Sequence, residues 1–451
     1  MIYRCVESSI SEHNGGSIEM DESREQKIAR LTEEFRKLLD EKFPKKGSTM
    51  QRIEELTEDI GREIEQRIEE DATGQEGRGY SGSYSICECG GMARYVRDYD
   101  KRVISVHGER KIVRSYYHCG SCGKGFCPID RTLELDGGCT TIAVRAKIAR
   151  LAALVPFGRC SVELGHLCGI KVSPRTVERV AELVGSQIGN EAAQAEAHVL
   201  SGLAEEPELA PDRLYVTVDG AMAPMRDGWR ECKVGAVYEA STNSNGDAVA
   251  RDVEHVGTFG NAEAIGDKLY ALAFRRGVER CGDVVALGDG GRWIWKQAKD
   301  NFPNATQILD FYHAAEHLSE VAKAWYGAQT PKADKWLEDR CGDFLEGRHE
   351  TVMRSIRAWK PVEEQDIKTK QDNLGYFKRN RERMRYDEYR AKQMHIGSGI
   401  AESSCKCLVQ ARLKQSGMRW TQTGAESMLQ LRRLWLDAPH TDFGQYARMA
   451  A

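Results

Sequence analysis

No stretch of 18 or more apolar residues occurs in the 451-residue chain, and the first thirty residues are polar and acidic. The first absence excludes a helical membrane span, which needs about 20 apolar residues to cross the hydrocarbon core. The second leaves no secretory leader to expect. Internal repeats and low-complexity tracts are missing as well, so the chain is not a solenoid. A strong net charge is also lacking, the formal balance being -4 at pH 7. With 41% hydrophobic and 30% charged residues, the expectation is a globular protein of two to four domains in the cytoplasm.

The small net charge conceals an uneven distribution. Residues 1–78 carry 13 basic against 20 acidic residues, whereas residues 81–160 carry 13 against 7 and residues 376–433 carry 13 against 5. Local basic patches, rather than overall pI, decide whether a polyanion can bind. Such patches leave nucleic acid open without establishing it.

Fourteen cysteines without a leader read as reduced thiols. Cys87, Cys89, Cys119, Cys122 and Cys127 crowd into about forty residues, which points to a metal rather than to disulfides. Cys119-x-x-Cys122 is a zinc knuckle and Cys87-x-Cys89 the expected partner pair. The Cys-x-Cys spacing is unusual, so Cys127, His118 or His107 remain substitute ligands. Arginines 94, 97, 102, 110 and 114 between the pairs suit phosphate contacts, although solvated strand faces give the same pattern.

Residues 1–80 read as an acidic helical arm and linker, with a break at Pro44 and Gly47. Residues 81–139 form a β-rich segment with three short strands, Met92–Arg97, Lys101–His107 and Lys111–Tyr117. Residues 140–205 have a helix-turn-helix outline: Gly169 at the turn, Ser173 as N-cap and Pro174 first in the helix. In that outline Arg175, Thr176 and Arg179 lie on the exposed face of the second helix, although three packed helices give the same spacing without DNA. From Leu214 strands and helices alternate: three strands, a helix, a strand, a helix and a further strand. Residues 206–312 thus form one half of a core, 313–395 a helical insertion and 396–451 the other half. The whole is a multidomain α+β/α/β protein, with zinc-ribbon and helix-turn-helix modules before an RNase H-like mixed sheet.

An RNase H-like core collects acids at the end of its first strand, just past its fourth and on a late helix. The sequence offers Asp219 in Val218-Asp-Gly220, Asp289 in Gly288-Asp-Gly-Gly291 and Glu402 in Gly399-Ile-Ala-Glu402. Phosphodiester chemistry by two divalent cations needs hard oxygen ligands of this kind, with room left for water and a phosphate. Each acid also has a plainer explanation, Asp-Gly being a common turn and an early helical Glu a common cap. Asp310, which also ends a strand, competes for the second position, and His313 follows it in Asp-x-x-His.

Several blocks in one order carry a family resemblance. They are Val218-Asp-Gly220, Trp229-Arg-Glu-Cys-Lys-Val-Gly235, Gly288-Asp-Gly-Gly-Arg-Trp-Ile-Trp295 and Gln307–Leu318. Tyr376-Phe-x-x-Asn380, Ile396–Ser403 and Arg412-Leu-Lys-x-x-Gly-Met-Arg-Trp420 complete the series. Over roughly residues 80–440 the chain resembles the ISKra-type insertion-sequence transposases, Asp-Asp-Glu enzymes distantly similar to the Mutator-like group. The resemblance implies Asp219, Asp289 and Glu402 as the acidic triad and two Mg²⁺ or Mn²⁺ ions at the site. It also implies Asp310 and His313 as support and transposon ends and target DNA as partners. Arg412, Lys414 and Arg419 would join Arg175, Thr176 and Arg179 in holding DNA. A homo-oligomer on DNA in the nucleoid is the matching expectation. A binding protein derived from a transposase, or an RNase H-like nuclease without strand transfer, are the alternatives.

Overall fold

The computed structural model describes residues 24–42, 49–135, 138–242, 248–397 and 399–449. Cys5, the break at Pro44 and Gly47, Asp136 and Ser398 lie outside the described residues. The chain divides into two compact units, residues 1–75 and 76–451. The first contains helices α1 (Arg24–Lys42) and α2 (Met50–Gln75). Helix α2 runs through Gly74, close to the end of the expected arm and linker. The second unit is continuous, so the expected divisions near 139, 205, 312 and 395 all fall inside one body.

That body opens with a four-stranded antiparallel sheet of β1 (Tyr84–Ile86), β2 (Met92–Ser105), β3 (Gly108–Cys119) and β4 (Gly125–Phe126), followed by the short helix α3 (Pro128–Thr132). The expected strands Met92–Arg97 and Lys101–His107 are a single strand. A bulge at Tyr95/Arg97 absorbs the irregularity, and pairing with β3 continues to Ser105↔Gly108.

Three helices follow: α4 (Ile142–Ala152), α5 (Phe157–Cys168) and α6 (Pro174–Leu200). Gly169 ends α5 at φ 66°, a conformation that favours glycine. Ser173 caps α6 by accepting from the Thr176 N–H at 3.1 Å. At 27 residues, α6 is far longer than a recognition helix needs.

The central sheet contains β5 (Arg213–Met225), β6 (Gly228–Thr242) and β7 (Ala248–Thr258), then α7 (Ala262–Arg275), β8 (Asp283–Gly288), α8 (Arg292–Asn301) and β9 (Thr306–Leu309). Its spatial order is β7-β6-β5-β8-β9. The first three strands are mutually antiparallel, while β8 runs parallel to β5 and β9 parallel to β8. Leu214, Tyr215, Val216 and Val218 belong to a hydrophobic core shared with α7, α8 and the helices after β9. Ala221, Ala223 and Met225 belong to a second core, shared with the three-helix unit and the C-terminal helices. Asp219 sits at the seam between them.

After β9 come α9 (Phe311–Tyr326), α10 (Pro331–Leu345), α11 (His349–Ala358), α12 (Glu364–Asn380) and α13 (Tyr386–Ala391). The return segment is α14 (Gly399–Ser404), which continues as a π-helix over Cys405–Gln410 and then as α15 (Ala411–Leu413). Helices α16 (Gln422–Asp437) and α17 (Gly444–Met449) close the chain. Gly185 of α6 faces the backbone of Ser427 on α16 so closely that any side chain would clash with it. This close contact ties the three-helix unit to the C-terminal segment.

Candidate active site and metal centre

Asp219 does not end its strand. It lies in the middle of β5, opposite Val234, two residues past the last rung shared with β8 at Thr217↔Leu287. Residues up to Val218 are packed in a dry core, so burial raises the Asp219 carboxyl above its ordinary range. The Gly220 N–H, donating to Asp219 Oδ1 at 2.6 Å, pulls it down, and the charge of Asp289 pushes it up again. The Cys405 side chain touches Asp219, and His313 of α9 bears on it electrostatically. A carboxylate kept poor in solvent beside a second carboxylate is ready for a cation.

Asp289 follows β8 directly. Its Oδ1 accepts from the Gly291 N–H at 2.9 Å, and its carbonyl accepts from Tyr376 Oη at 2.7 Å. Gly290 has a φ of 98°, and a Cβ there would meet the Tyr376 ring. Tyr376 in turn stacks on His317, ring centroids 3.8 Å apart, and His317 Nδ1 pairs with Asn373 Oδ1 at 2.8 Å. The glycine after Asp289 therefore makes room for the protein's own tyrosine. At Gly220 the neighbour is likewise internal, the Glu231 carboxylate.

Asp310 has a different task. It is 7% exposed and caps α9, Oδ1 accepting from the Tyr312 N–H at 2.7 Å. His313, in the first turn of α9, pairs with Glu316 at 3.2 Å.

Glu402 departs from the expected gathering of three acids. It is exposed on α14 and pairs with Lys406 at 2.6 Å. Among the described residues, the acids do not form a group whose ligand atoms all lie within 4.8 Å of one another; four cysteines do. The residue from this helix that reaches Asp219 is Cys405, three positions on. Its thiol is pushed up by burial and then by the Asp219 charge.

Those cysteines are Cys87, Cys89, Cys119 and Cys122. Sγ–Sγ separations of 3.6 Å for Cys87–Cys122 and for Cys89–Cys119 match the edge of a tetrahedron with metal–sulfur bonds of about 2.3 Å, roughly 3.8 Å. The backbone N–H of Cys122 lowers the Cys119 thiol to about 6, against burial and with help from Ser121. For Cys89 the Gly91 N–H acts downward, but the thiols of Cys122, Cys119 and Cys87 outweigh it and raise Cys89 to about 12. Four sulfurs of this geometry could hold a structural metal such as zinc. Cys127, His118 and His107 are not in the group.

The expected DNA contacts divide. Arg175 and Arg179 are exposed on α6, and Thr176 is half-buried beside Ser173 at 2.9 Å. Lys414 and Arg419 are exposed. Arg412 is wholly buried and is not available to a phosphate. Its Nε donates to the Ala152 carbonyl at 2.7 Å, and its guanidinium lies 5.0 Å and 5.3 Å from the ring centroids of Phe157 and Trp420. In the small sheet Arg110 is 8% exposed and donates to Ser105 Oγ, while Arg114 pairs with Asp130. These two arginines support the fold rather than the surface.

The family described as "Uncharacterised protein family (UPF0236)" matches residues 86–446. The chain belongs to the UPF0236 family. A relative, the "UPF0236 protein in vanSb 3'region" of Streptococcus gallolyticus, is 22% identical over 318 residues, covering 68% of this chain and 66% of its own length. The matched region of the family takes in the cysteine group, the three helices and the whole central sheet. Sequence reasoning missed Cys405, which needs the π-helix to be known, and gave Tyr376 no role beyond its motif, since that role needs the fold of the helices after β9. Among the described residues no helix is long and apolar enough to cross a membrane.

Proposed function

We propose that this chain is a DNA transposase of the Asp-Asp-Glu kind, acting through divalent cations held by Asp219 and Asp289. The observation that carries the reading is the pairing of these two acids. One lies on the middle strand of a β7-β6-β5-β8-β9 sheet and the other at the end of its parallel neighbour, near enough for Asp289 to perturb Asp219. That strand order, with two parallel strands after three antiparallel ones, is the order an RNase H-like core has. The donor set suits Mg²⁺ or Mn²⁺, being hard oxygen at a partly desolvated site. Two such ions about 3.5–4 Å apart would stabilise the attacking and leaving oxygens of a phosphodiester.

The roles of the chain's own residues follow from their places. Asp219 and Asp289 supply charge, and Tyr376 holds the Asp289 loop by its backbone. Glu402 completes the set by turning from Lys406 toward Asp219 when cations and DNA arrive. Asp310, engaged in capping α9, supports the site from behind with His313. Helices α4 to α6 act as a helix-turn-helix that presents Arg175 and Arg179 to element ends. Zinc in the cysteine group stabilises the ribbon beside them, and the chain works as an oligomer on DNA in the nucleoid.

The test is cleavage and strand transfer of labelled element ends in Mg²⁺. Asp219→Ala and Asp289→Ala are expected to abolish both steps, while Asp310→Ala, correctly folded by circular dichroism, retains them. Activity surviving Asp289→Ala but not Asp310→Ala would overturn the assignment.

A further inference from the structure

The β5–β6 hairpin outruns its sheet. Strand β5 shares its last rung with β8 at Thr217, and β6 its last rung with β7 at Lys233, whereas the two pair with each other as far as Met225↔Gly228. A two-stranded ribbon therefore projects beyond Asp219. Its inner face, Ala221, Ala223, Met225 and Cys232, is buried against the three-helix unit and the C-terminal helices. The outer face carries Met222 and Trp229, which are 43% and 58% exposed.

Trp229 is the larger of the two exposed side chains, and its surroundings are basic. Lys414 Nζ lies 5.5 Å from the Trp229 ring centroid. Arg226, in the turn, and Arg419 are exposed alongside, and Arg230 bonds Gln422 at 2.6 Å and Asp227 at 3.1 Å. The tip is rigid. The Arg226 N–H donates to the Trp420 carbonyl at 2.9 Å, the Trp420 N–H donates to the Pro224 carbonyl at 3.2 Å, and buried Trp420 donates from Nε1 to the Leu413 carbonyl at 2.9 Å. From the turn the surface continues into an open cleft of about 590 Å³ that includes Arg226, Thr421, Arg175 and Arg179, together with Glu178 and Glu182.

We propose that Trp229 is a stacking platform for an unpaired DNA base, with Arg226, Lys414 and Arg419 holding the phosphates on either side. This rests on the reading of the chain as a DNA-binding protein, but not on its chemistry. An exposed aromatic face with cations nearby is how single-stranded nucleic acid is held without regard to sequence. Protein interfaces enrich tryptophan and arginine but deplete lysine, and here the cation against the ring is Lys414. The position is apt: Pro224, opposite Trp229, is five residues from Asp219, about 17 Å along the strand. That distance equals about five base steps, so a strand whose phosphate lies at Asp219 reaches Trp229 with a nearby base.

The experiment uses the full chain without added Mg²⁺ and two fluorescent probes, a twenty-nucleotide oligothymidylate and a fully paired duplex. Trp229→Ala should weaken oligothymidylate binding about 5- to 150-fold and leave duplex binding unchanged, with Trp229→Phe restoring most of the loss. Lys414→Ala and Arg419→Ala should weaken both probes and lower the salt dependence. Undiminished oligothymidylate binding by Trp229→Ala overturns the proposal, as does an equal loss on both probes. A change of oligomeric state in Trp229→Ala, with binding intact, would make the tip a protein contact instead. Wild-type protein that binds neither probe would end the DNA reading as well, whereas binding without cleavage would end only the catalytic one.

Discussion

Glu402 Oε1 accepts from Lys406 Nζ at 2.6 Å, one helical turn ahead, on the exposed side of α14. An exposed i,i+4 pair of this kind contributes less than about 1 kcal/mol, so it is a resting position that a divalent cation can outbid. Lys406→Ala should shift the denaturation midpoint only slightly and leave cleavage within about fivefold of wild type. Glu402→Gln should stop cleavage without loss of stability. A Lys406→Ala protein as inactive as Glu402→Gln would show that the pair itself is the working arrangement.

The buried Asp219 makes stability depend on pH in a definite direction. Its folded pKa is raised above the ordinary 3.8, so the folded state holds this proton more tightly than the unfolded state does. Below the ordinary value there is no penalty; as pH rises through the folded value the fold loses stability. Asp219→Asn removes that loss. Without added Mg²⁺ its melting temperature should exceed that of wild type by a margin that grows as pH rises from about 4 through the folded value and is constant above it. Mg²⁺ should close the gap by stabilising wild type alone. A margin independent of pH and of Mg²⁺ would contradict the role given to Asp219.

The cysteine group predicts about one equivalent of tightly held zinc per chain. Cys119→Ser should lose it and lower the melting temperature, because Cys119 is the buried thiol most ready to ionise. Cys127→Ser should keep it. Elemental analysis of the purified proteins decides between them, and zinc lost from Cys127→Ser would return that residue to the ligand set.

Arg412 joins the segment after Glu402 to the end of α4 through the Ala152 carbonyl. Burial lowers its guanidinium to about 10. Arg432 makes the neighbouring link, donating to the carbonyls of Cys407 in the π-helix at 2.8 Å and of Ala153 at 3.1 Å. Truncating Arg412 opens a cavity and strands a carbonyl, so Arg412→Ala should cost about 2–5 kcal/mol in urea denaturation. Arg412→Met should cost less and should leave the salt dependence of DNA binding unchanged. A salt slope reduced by about one unit in Arg412→Met would restore Arg412 to the DNA surface.

Much of this architecture was legible from local signals. Gly169 at the turn and Ser173 as cap stand where the sequence puts them, and the order of strands and helices from β5 to β9 is the expected one. What stayed hidden was tertiary. The full length of β5 depends on how far β6 pairs with it beyond the rest of the sheet and on Trp420, far away in sequence, so Asp219 read as a strand end when it is mid-strand. A basic residue in a basic block reads as surface, and only the packing of α4 against α15 and α16 buries Arg412. The four cysteines were legible because their spacing carries the hairpin between them. Glu402 was legible as a residue but not as a geometry, since a π-helix has no signature in the sequence that fixes which side chain faces β5.

The most direct measurement is a crystal structure with Mn²⁺ and a short DNA end, phased to locate the metal by its anomalous signal. The account predicts Mn²⁺ peaks bound by both Asp219 and Asp289, with Glu402 turned away from Lys406 toward them. Mn²⁺ bound by Asp310 in place of Asp289, or no Mn²⁺ at Asp219 with DNA present, would contradict it.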